Sequence, residues 1–194
     1  MSTAWFTSDL HFMHKMLAED IRGFSGIEEH DEALIENINS CVKKDDALWI
    51  LGDLSLKKPA VFGHLFSRLN GNKYVIWGNH DYGWGFNRDA YKYGDEYYYM
   101  GVMAANDFAR RKMNHKTVML SHFPYTGDHS ADDRYDECRL KNFGNTLLHG
   151  HTHSDEIISF AGVNTLQVHV GLDAWNLMPV EINTILELID ENTS

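Results

Sequence analysis

Five short blocks in this chain carry metal-binding residue types, and each follows an apolar run. They are Asp9-Leu10-His11, Gly52-Asp53, Gly78-Asn79-His80-Asp81, Ser121-His122 and Gly150-His151-Thr152-His153. Carboxylates, imidazoles and an amide delivered to strand ends are the parts of a two-metal hydrolytic centre. Asp9 and His11 are two positions apart, as are His151 and His153. In extended backbone such positions point to one side, so each pair could reach one ion. Asp53 has two oxygens and could bridge two ions, and Gly52 before it permits a sharp strand exit. Asn79 is a neutral oxygen ligand. His80 beside it could meet substrate instead of metal, with Asp81 fixing its tautomer by a hydrogen bond. Singly, each block also reads as a turn, a cap or a structural histidine. Jointly, possible ligands at five strand exits point to a metal centre. The donors are nitrogen and oxygen without sulfur, which suits Mn²⁺, Fe²⁺, Zn²⁺ or Ni²⁺ better than a structural zinc site. His149 falls in the preceding strand register and reads as core or as support for the site.

Composition bounds the partners. The 194 residues suit one domain over 1–194. Lys plus Arg is 17 and Asp plus Glu is 28, a net charge of −11. No dense Lys/Arg run is present, which argues against gripping long duplex nucleic acid and leaves a small phosphorylated substrate open. An acidic protein that hydrolyses phosphates needs a local cation source, and bound metal ions supply one. No run approaches the ~18 apolar residues of a membrane span, and the start has no basic segment and apolar run of a leader. The expectation is a cytoplasmic protein without a membrane partner. Cys41 and Cys138 make no CxxC motif and no disulfide framework, so a reduced compartment is expected.

The elements that must position these blocks alternate in the first half. Ala4-Trp5-Phe6-Thr7, Ala47 to Leu51 and Tyr74 to Trp77 read as strands. A helix is expected over 30–43, with Leu34, Ile35, Ile38, Cys41 and Val42 on one face. Another is opened by Pro59, with Val61, Phe62, Leu65, Phe66 and Leu69 apolar. This β–α–β–α–β rhythm predicts parallel strands. The second half reads as successive strands: Tyr97 to Met100, Asp107 to Ala109, Thr117 to Leu120, Thr146 to His149, Glu156 to Phe160, Leu166 to Val170 and Ile182 to Ile189. Residues 123–145 are a long polar stretch, and such loops are often functional. A sheet-on-sheet core with outer helices fits best.

The ordered blocks D-x-H, G-D, G-N-H-D, H and G-H-x-H resemble the calcineurin-like metallophosphoesterases. The fuller strings SDLHFMH, LGDLS, GNHD, LSHFPY and LHGHTH, with the tract Val170 to Asn176, are similar to the small bacterial and phage-type single-domain branch. The resemblance implies an α/β four-layer α-β-β-α sandwich of two mixed sheets with outer helices. It implies one ion on Asp9, His11, Asp53 and His153, and a second on Asp53, Asn79, His122 and His151. His80 would be the catalytic, non-ligand histidine. Two sequence departures stand out: Met13 where Gly is frequent, and His169 where Asn is common, a possible supporting partner.

The expected function is a dinuclear-metal phosphodiesterase for small nucleotides or cyclic nucleotides, using two divalent ions (Mn²⁺ first) and a hydroxide bridging them. A phosphomonoesterase or dinucleoside polyphosphate hydrolase is the alternative, and a non-catalytic metal-binding scaffold the remote one. His14, Arg134 and Arg139 are the candidate substrate-binding residues. Exposed aromatics leave a homodimer open, and Tyr97, Tyr98 and Tyr99 could stack on a base, although alternate burial in a strand accounts for them more simply.

Overall fold

The computed structural model describes residues 2–128, 130 and 132–193. The first sheet has the order β10-β1-β2-β3-β4. It comprises β1 (Ala4–Thr7), β2 (Ala47–Ile50), β3 (Asn72–Ile76), β4 (Val102–Asn106) and β10 (Val180–Glu181). β1 to β4 are parallel, and β10 joins β1 antiparallel. The helices α1 (Ile27–Cys41) and α2 (Pro59–Phe66) supply the crossovers that parallel pairing requires. The second sheet has the order β5-β6-β7-β9-β8. It comprises β5 (Phe108–Met113), β6 (Lys116–Ser121), β7 (Thr146–His149), β8 (Ile158–Ala161) and β9 (Thr165–His169). Its centre, β6-β7-β9, is parallel, and both edge strands are antiparallel.

Strand side chains alternate between two apolar layers. Leu48, Ile50 and Val75 face α1 and α2, packing on Leu34, Ile38, Phe62 and Phe66. Phe6, Trp49, Leu51 and Ile76 face the second sheet and meet Val118, Leu120, Leu148 and Val168. On the far side of the second sheet, Met119, Leu147 and Ala161 are covered by Tyr125 and Leu140 of the 123–145 segment. The helix α4 (Ile182–Asn192) joins the inter-sheet layer through Ile185 and Ile189, which are fully buried. Among the described residues no helix is long and apolar enough to cross a membrane.

The largest differences from expectation lie at α1, α3 and α4, and the sequence reading did not include β4 and β10. α1 begins three residues early, after Gly26, with Glu28 and Glu29 in its first turn, where carboxylates favour the helix dipole. Tyr97-Tyr98-Tyr99 lie in a short helix, α3 (Gly94–Tyr99), and not in a strand. A strand would place Tyr97 and Tyr99 on one face, but Tyr97 is buried and Tyr98 and Tyr99 are 71% and 83% exposed. Ile182 to Ile189 form α4 instead of a strand: Ile182, Ile185, Leu186 and Ile189 recur at i, i+3, i+4 and i+7, one helical face.

Candidate metal centre

All five blocks meet where strands of the two sheets end. Past Thr7, β1 continues beside the exit of β2: Asp9 N–H donates to the Gly52 carbonyl at 3.0 Å and His11 N–H to the Asp53 carbonyl at 2.9 Å. The backbone here is not extended, as the i, i+2 argument assumed. Asp9, His11 and Asp53 take left-handed φ of 60°, 49° and 56°, and His151 and His153 take 72° and 50°. Leu10 and Phe12, between and after the first pair, are fully buried. In the first block Asp9 and His11 therefore turn toward the site while Leu10 and Phe12 fill the core. Such conformations cost of order 1–3 kcal/mol each and persist where the surroundings over-determine them.

Cross-links between blocks supply that determination. The His151 amide donates to Asp9 Oδ2 at 3.1 Å, and the His80 amide donates to Asp53 Oδ1 at 3.0 Å. Gly150 is where the first and fifth blocks touch. A Cβ there would collide with Ser8 Oγ and lie 2.6 Å from Asp9 Oδ2. Gly150→Ala is therefore expected to destabilise the fold by about 1–3 kcal/mol, the usual cost of overpacking, measured by urea unfolding. An unchanged unfolding midpoint would show that the loop yields freely.

Asp53 Oδ2 is the hub. The Nε2 atoms of His122, His11 and His80 lie 3.5, 3.6 and 3.9 Å from it. These exceed hydrogen-bond lengths. The His122 and His11 distances are close to the separation of about 3.5 Å between ligands that share an ion at about 2.0–2.2 Å, and the His80 distance is longer. Asp9, His11 and His153 form one group of donor atoms mutually within 4.8 Å, and Asp9, Asp53 and His122 form another.

Hydrogen-bond direction makes the case for a cation. His122 Nδ1 lies 2.8 Å from the Leu51 carbonyl, which can only accept, so Nδ1 carries the proton. Burial holds His122 below the usual imidazole range, so its Nε2 is a bare lone pair. That lone pair faces Asn79 Oδ1 at 3.2 Å and Asp53 Oδ2 at 3.5 Å. Three groups that can each accept therefore converge on one point, an arrangement that a cation would satisfy. His11 is buried with neither ring nitrogen hydrogen-bonded, a costly condition for polar atoms unless an ion satisfies them. Burial and the nearby Asp9 push Asp53 well above the carboxylate range, and burial and His153 push His11 well below the imidazole range. The donor set and its orphaned atoms fit divalent metal.

The other expected site residues are placed as follows. His80 sits on the open side, its side chain 43% exposed. Asp81 does not fix the His80 ring: its carboxylate accepts the backbone N–H of Gly78, Asp53 and Leu54 at 2.8–3.0 Å, tying the exits of β2 and β3 together. His14 lies beside His11, ring centroids 5.3 Å apart. His151 stands 5.1 Å from the His122 ring, but its Nε2 is 3.2 Å from Asp128 Oδ2. An ion held by His151 would therefore use Nδ1. His149 and His169 stack behind Asp9, ring centroids 5.4 Å apart.

Arg139 corrects another expectation. Its guanidinium, nearly buried, donates to the carbonyls of Arg134, Pro124 and Gly127 and to Asp128, so it organises the loop. Arg134 grips Asp128 and brings NH2 to 3.4 Å from His151 Nε2. Sequence reasoning missed Asp128 as a site residue, since nothing in its spacing separates it from other loop acids. It also missed Asp173, whose Oδ2 is 2.7 Å from His153 Nδ1, and Arg22, which is bound to Asp173.

The model of the calcineurin-like phosphoesterase family matches residues 2–155. The chain belongs to that family. Calcineurin-like phosphoesterases are metal-dependent phosphoester hydrolases, in agreement with the donor set. The Gene 66 protein of Mycobacterium phage D29 is 42% identical over 98% of this chain and 99% of its own. A protein of unknown function from Aquifex aeolicus, AQ665, superposes with a TM-score of 0.72 at 19% identity, over 97% of this chain and 100% of that one. An archaeal phosphodiesterase superposes with a TM-score of 0.50 at 15% identity, over 87% of this chain and 83% of that one. The fold shared with AQ665 extends past residue 155 through β8, β9, β10 and α4.

Proposed function

We propose that this calcineurin-like phosphoesterase is a phosphodiesterase for small nucleotides or cyclic nucleotides, working with two divalent ions, Mn²⁺ first. Asp9, His11, Asp53 and His153 would hold one ion, and Asp53, Asn79, His122 and His151 the other. The observation that carries this is the convergence of the His122 lone pair, Asn79 Oδ1 and Asp53 Oδ2. Bound ions would supply an activated water and take up charge on the phosphoryl oxygens. The protein's own part falls to His80. Its ring stands on the open side with Nε2 3.9 Å from Asp53 Oδ2, where it can stabilise the developing charge or donate a proton to the leaving oxygen. Its backbone amide stays committed to Asp53 Oδ1, so the ring is aimed from a fixed main chain.

Diester over monoester follows from the cations. A terminal phosphate carries a second charge and calls for dedicated guanidinium groups. Arg139 is spent on its own loop. Arg134 stands beside His151, which favours a monoester reading, but it is bound to Asp128. A structural neighbour described as a phosphodiesterase agrees with the diester reading.

The test compares bis-p-nitrophenyl phosphate with p-nitrophenyl phosphate, using metal-stripped protein resupplied with Mn²⁺. Faster diester turnover that chelator abolishes is the expected result. Faster monoester turnover would overturn the diester assignment, and turnover indifferent to chelator would overturn the metal reading.

A further inference from the structure

Arg22 and Asp173 are 151 residues apart in sequence, yet their side chains pair at 2.8 Å and are almost buried. A π-helical turn over Leu17–Ile21 delivers Arg22, whose N–H closes it on the Leu17 carbonyl. Such turns recur at functional sites. The tract after β9 delivers Asp173: Ser8 and Gly171 form a parallel bridge, so this tract runs beside the exit of β1.

A guanidinium has five N–H donors, and each has an acceptor here. Nε donates to Asp173 Oδ1 at 2.8 Å, and NH2 donates to Asp173 Oδ2 at 3.1 Å and to the Asp9 carbonyl at 2.8 Å. NH1 donates to the Leu10 carbonyl at 3.4 Å and to His30 Nε2 at 3.0 Å. Since Arg can only donate, His30 Nε2 accepts, and His30 Nδ1–H donates to Asp31 Oδ1 at 2.7 Å. Asp31 also takes the Met13 N–H at 3.0 Å, at a residue with φ of 62°. Both ends of the Asp9–His11 bend are therefore tied to one network rooted in α1.

At its other end the network reaches His153. Asp173 accepts two N–H groups from Arg22, which keeps it an acceptor, so the proton of the 2.7 Å contact belongs to His153 Nδ1. In the neutral ring His153 Nε2 is then the lone-pair nitrogen, 3.9 Å from Asp9 Oδ1. The hydrogen bonds of Arg22 and Asp173 run to the main chain of Asp9 and Leu10, to His30 and to His153.

We propose that Arg22 and Asp173 are positioning residues that fix the tautomer of His153 and the main chain of Asp9, and so set the affinity of one ion of the pair and not the other. The ion concerned is the one that Asp9, His11 and His153 would hold, so the inference rests on the reading given under Proposed function. Partners of this kind are worth 10–100-fold in metal affinity.

The experiment titrates metal-stripped full-length protein with Mn²⁺ by calorimetry, with bound metal counted by mass spectrometry. Wild type is expected to bind two ions. Asp173→Asn, which keeps the side-chain shape, should weaken one by about 10–100-fold and leave the other within about twofold. Arg22→Met should do the same if it folds. In metal-free wild type, two-bond ¹H–¹⁵N correlation should show His153 as the Nδ1–H tautomer whatever the variants do. Wild type that binds fewer than two ions would overturn the metal reading and this inference with it. Two tight ions retained in folded Asp173→Asn, equal weakening of both, or an Nε2–H tautomer at His153 would overturn the inference alone.

Discussion

Asp53→Asn is expected to bind less metal, to lose at least about 10³-fold in diester turnover, and to melt higher than wild type when both are metal-free. The first two effects follow from the hub. Asp53 Oδ2 lies within 3.9 Å of three imidazole nitrogens. An amide would remove the charge proposed to hold two cations together. Ions in such sites contribute several kcal/mol of charge stabilisation in the transition state, and about 4 kcal/mol is 10³-fold. The third effect has the opposite sign because Asp53 and Asp9 are both buried carboxylates in one site. Without cations their proximity is a cost, and a neutral isostere relieves it. Asn retains an oxygen for the His80 amide, which donates to Asp53 Oδ1, and leaves its own backbone N–H on Asp81. A gain of even about 1 kcal/mol would raise the melting temperature by about 2–4 °C at this chain length. Calorimetry with and without Mn²⁺ checks the crossing: the variant should lead without metal and trail with it. A variant that trails in both would mean that the Asp53 charge is already compensated inside the protein.

His80→Ala should separate chemistry from metal binding. The His80 side chain is the most exposed of the site histidines described above, and its amide, not its ring, holds Asp53. Truncation keeps that amide. Metal content should match wild type, while kcat for the diester falls by about 10²-fold or more, the usual contribution of a positioned general acid. His80→Gln keeps an N–H donor and should recover part of the loss. A leaving group that needs no proton should also shrink the defect, so the ratio of rates for an alkyl and a nitrophenyl diester is the sharper readout. Wild-type turnover in the alanine variant would remove His80 from the mechanism.

The part of this site that was legible in sequence has a common physical character. Each block joins an apolar strand to a polar exit within a few residues, so composition and spacing alone display it. The reason offered for the spacing was nonetheless wrong: Asp9, His11, His151 and His153 converge through left-handed bends and not through extended strands. Local signals also misled where two periods overlap. Tyr97-Tyr98-Tyr99 is β-prone in composition yet helical, and the apolar spacing from Ile182 to Ile189 was read as a strand before its helical face was counted. What no local pattern could reveal is long-range pairing. Asp81 serving three backbone amides and Asp128 under His151 exist only in the folded chain, and Arg22 meets Asp173 across 151 residues only once the sheets are docked.

That docking has a consequence of its own. Asp9, His11, Asp53 and Asn79 follow strands of the first sheet, whereas His122, His151 and His153 follow strands of the second. Neither sheet alone carries the whole proposed ligand set, so an ion would bind only the assembled pair and its binding free energy would become a clamp between the halves. By mass action, an ion present at 100 times its dissociation constant adds about 2.7 kcal/mol to the folded state per site. Metal supply would then govern the lifetime of the protein as well as its rate: a chain starved of ions would open along the seam between its sheets and meet proteases there first.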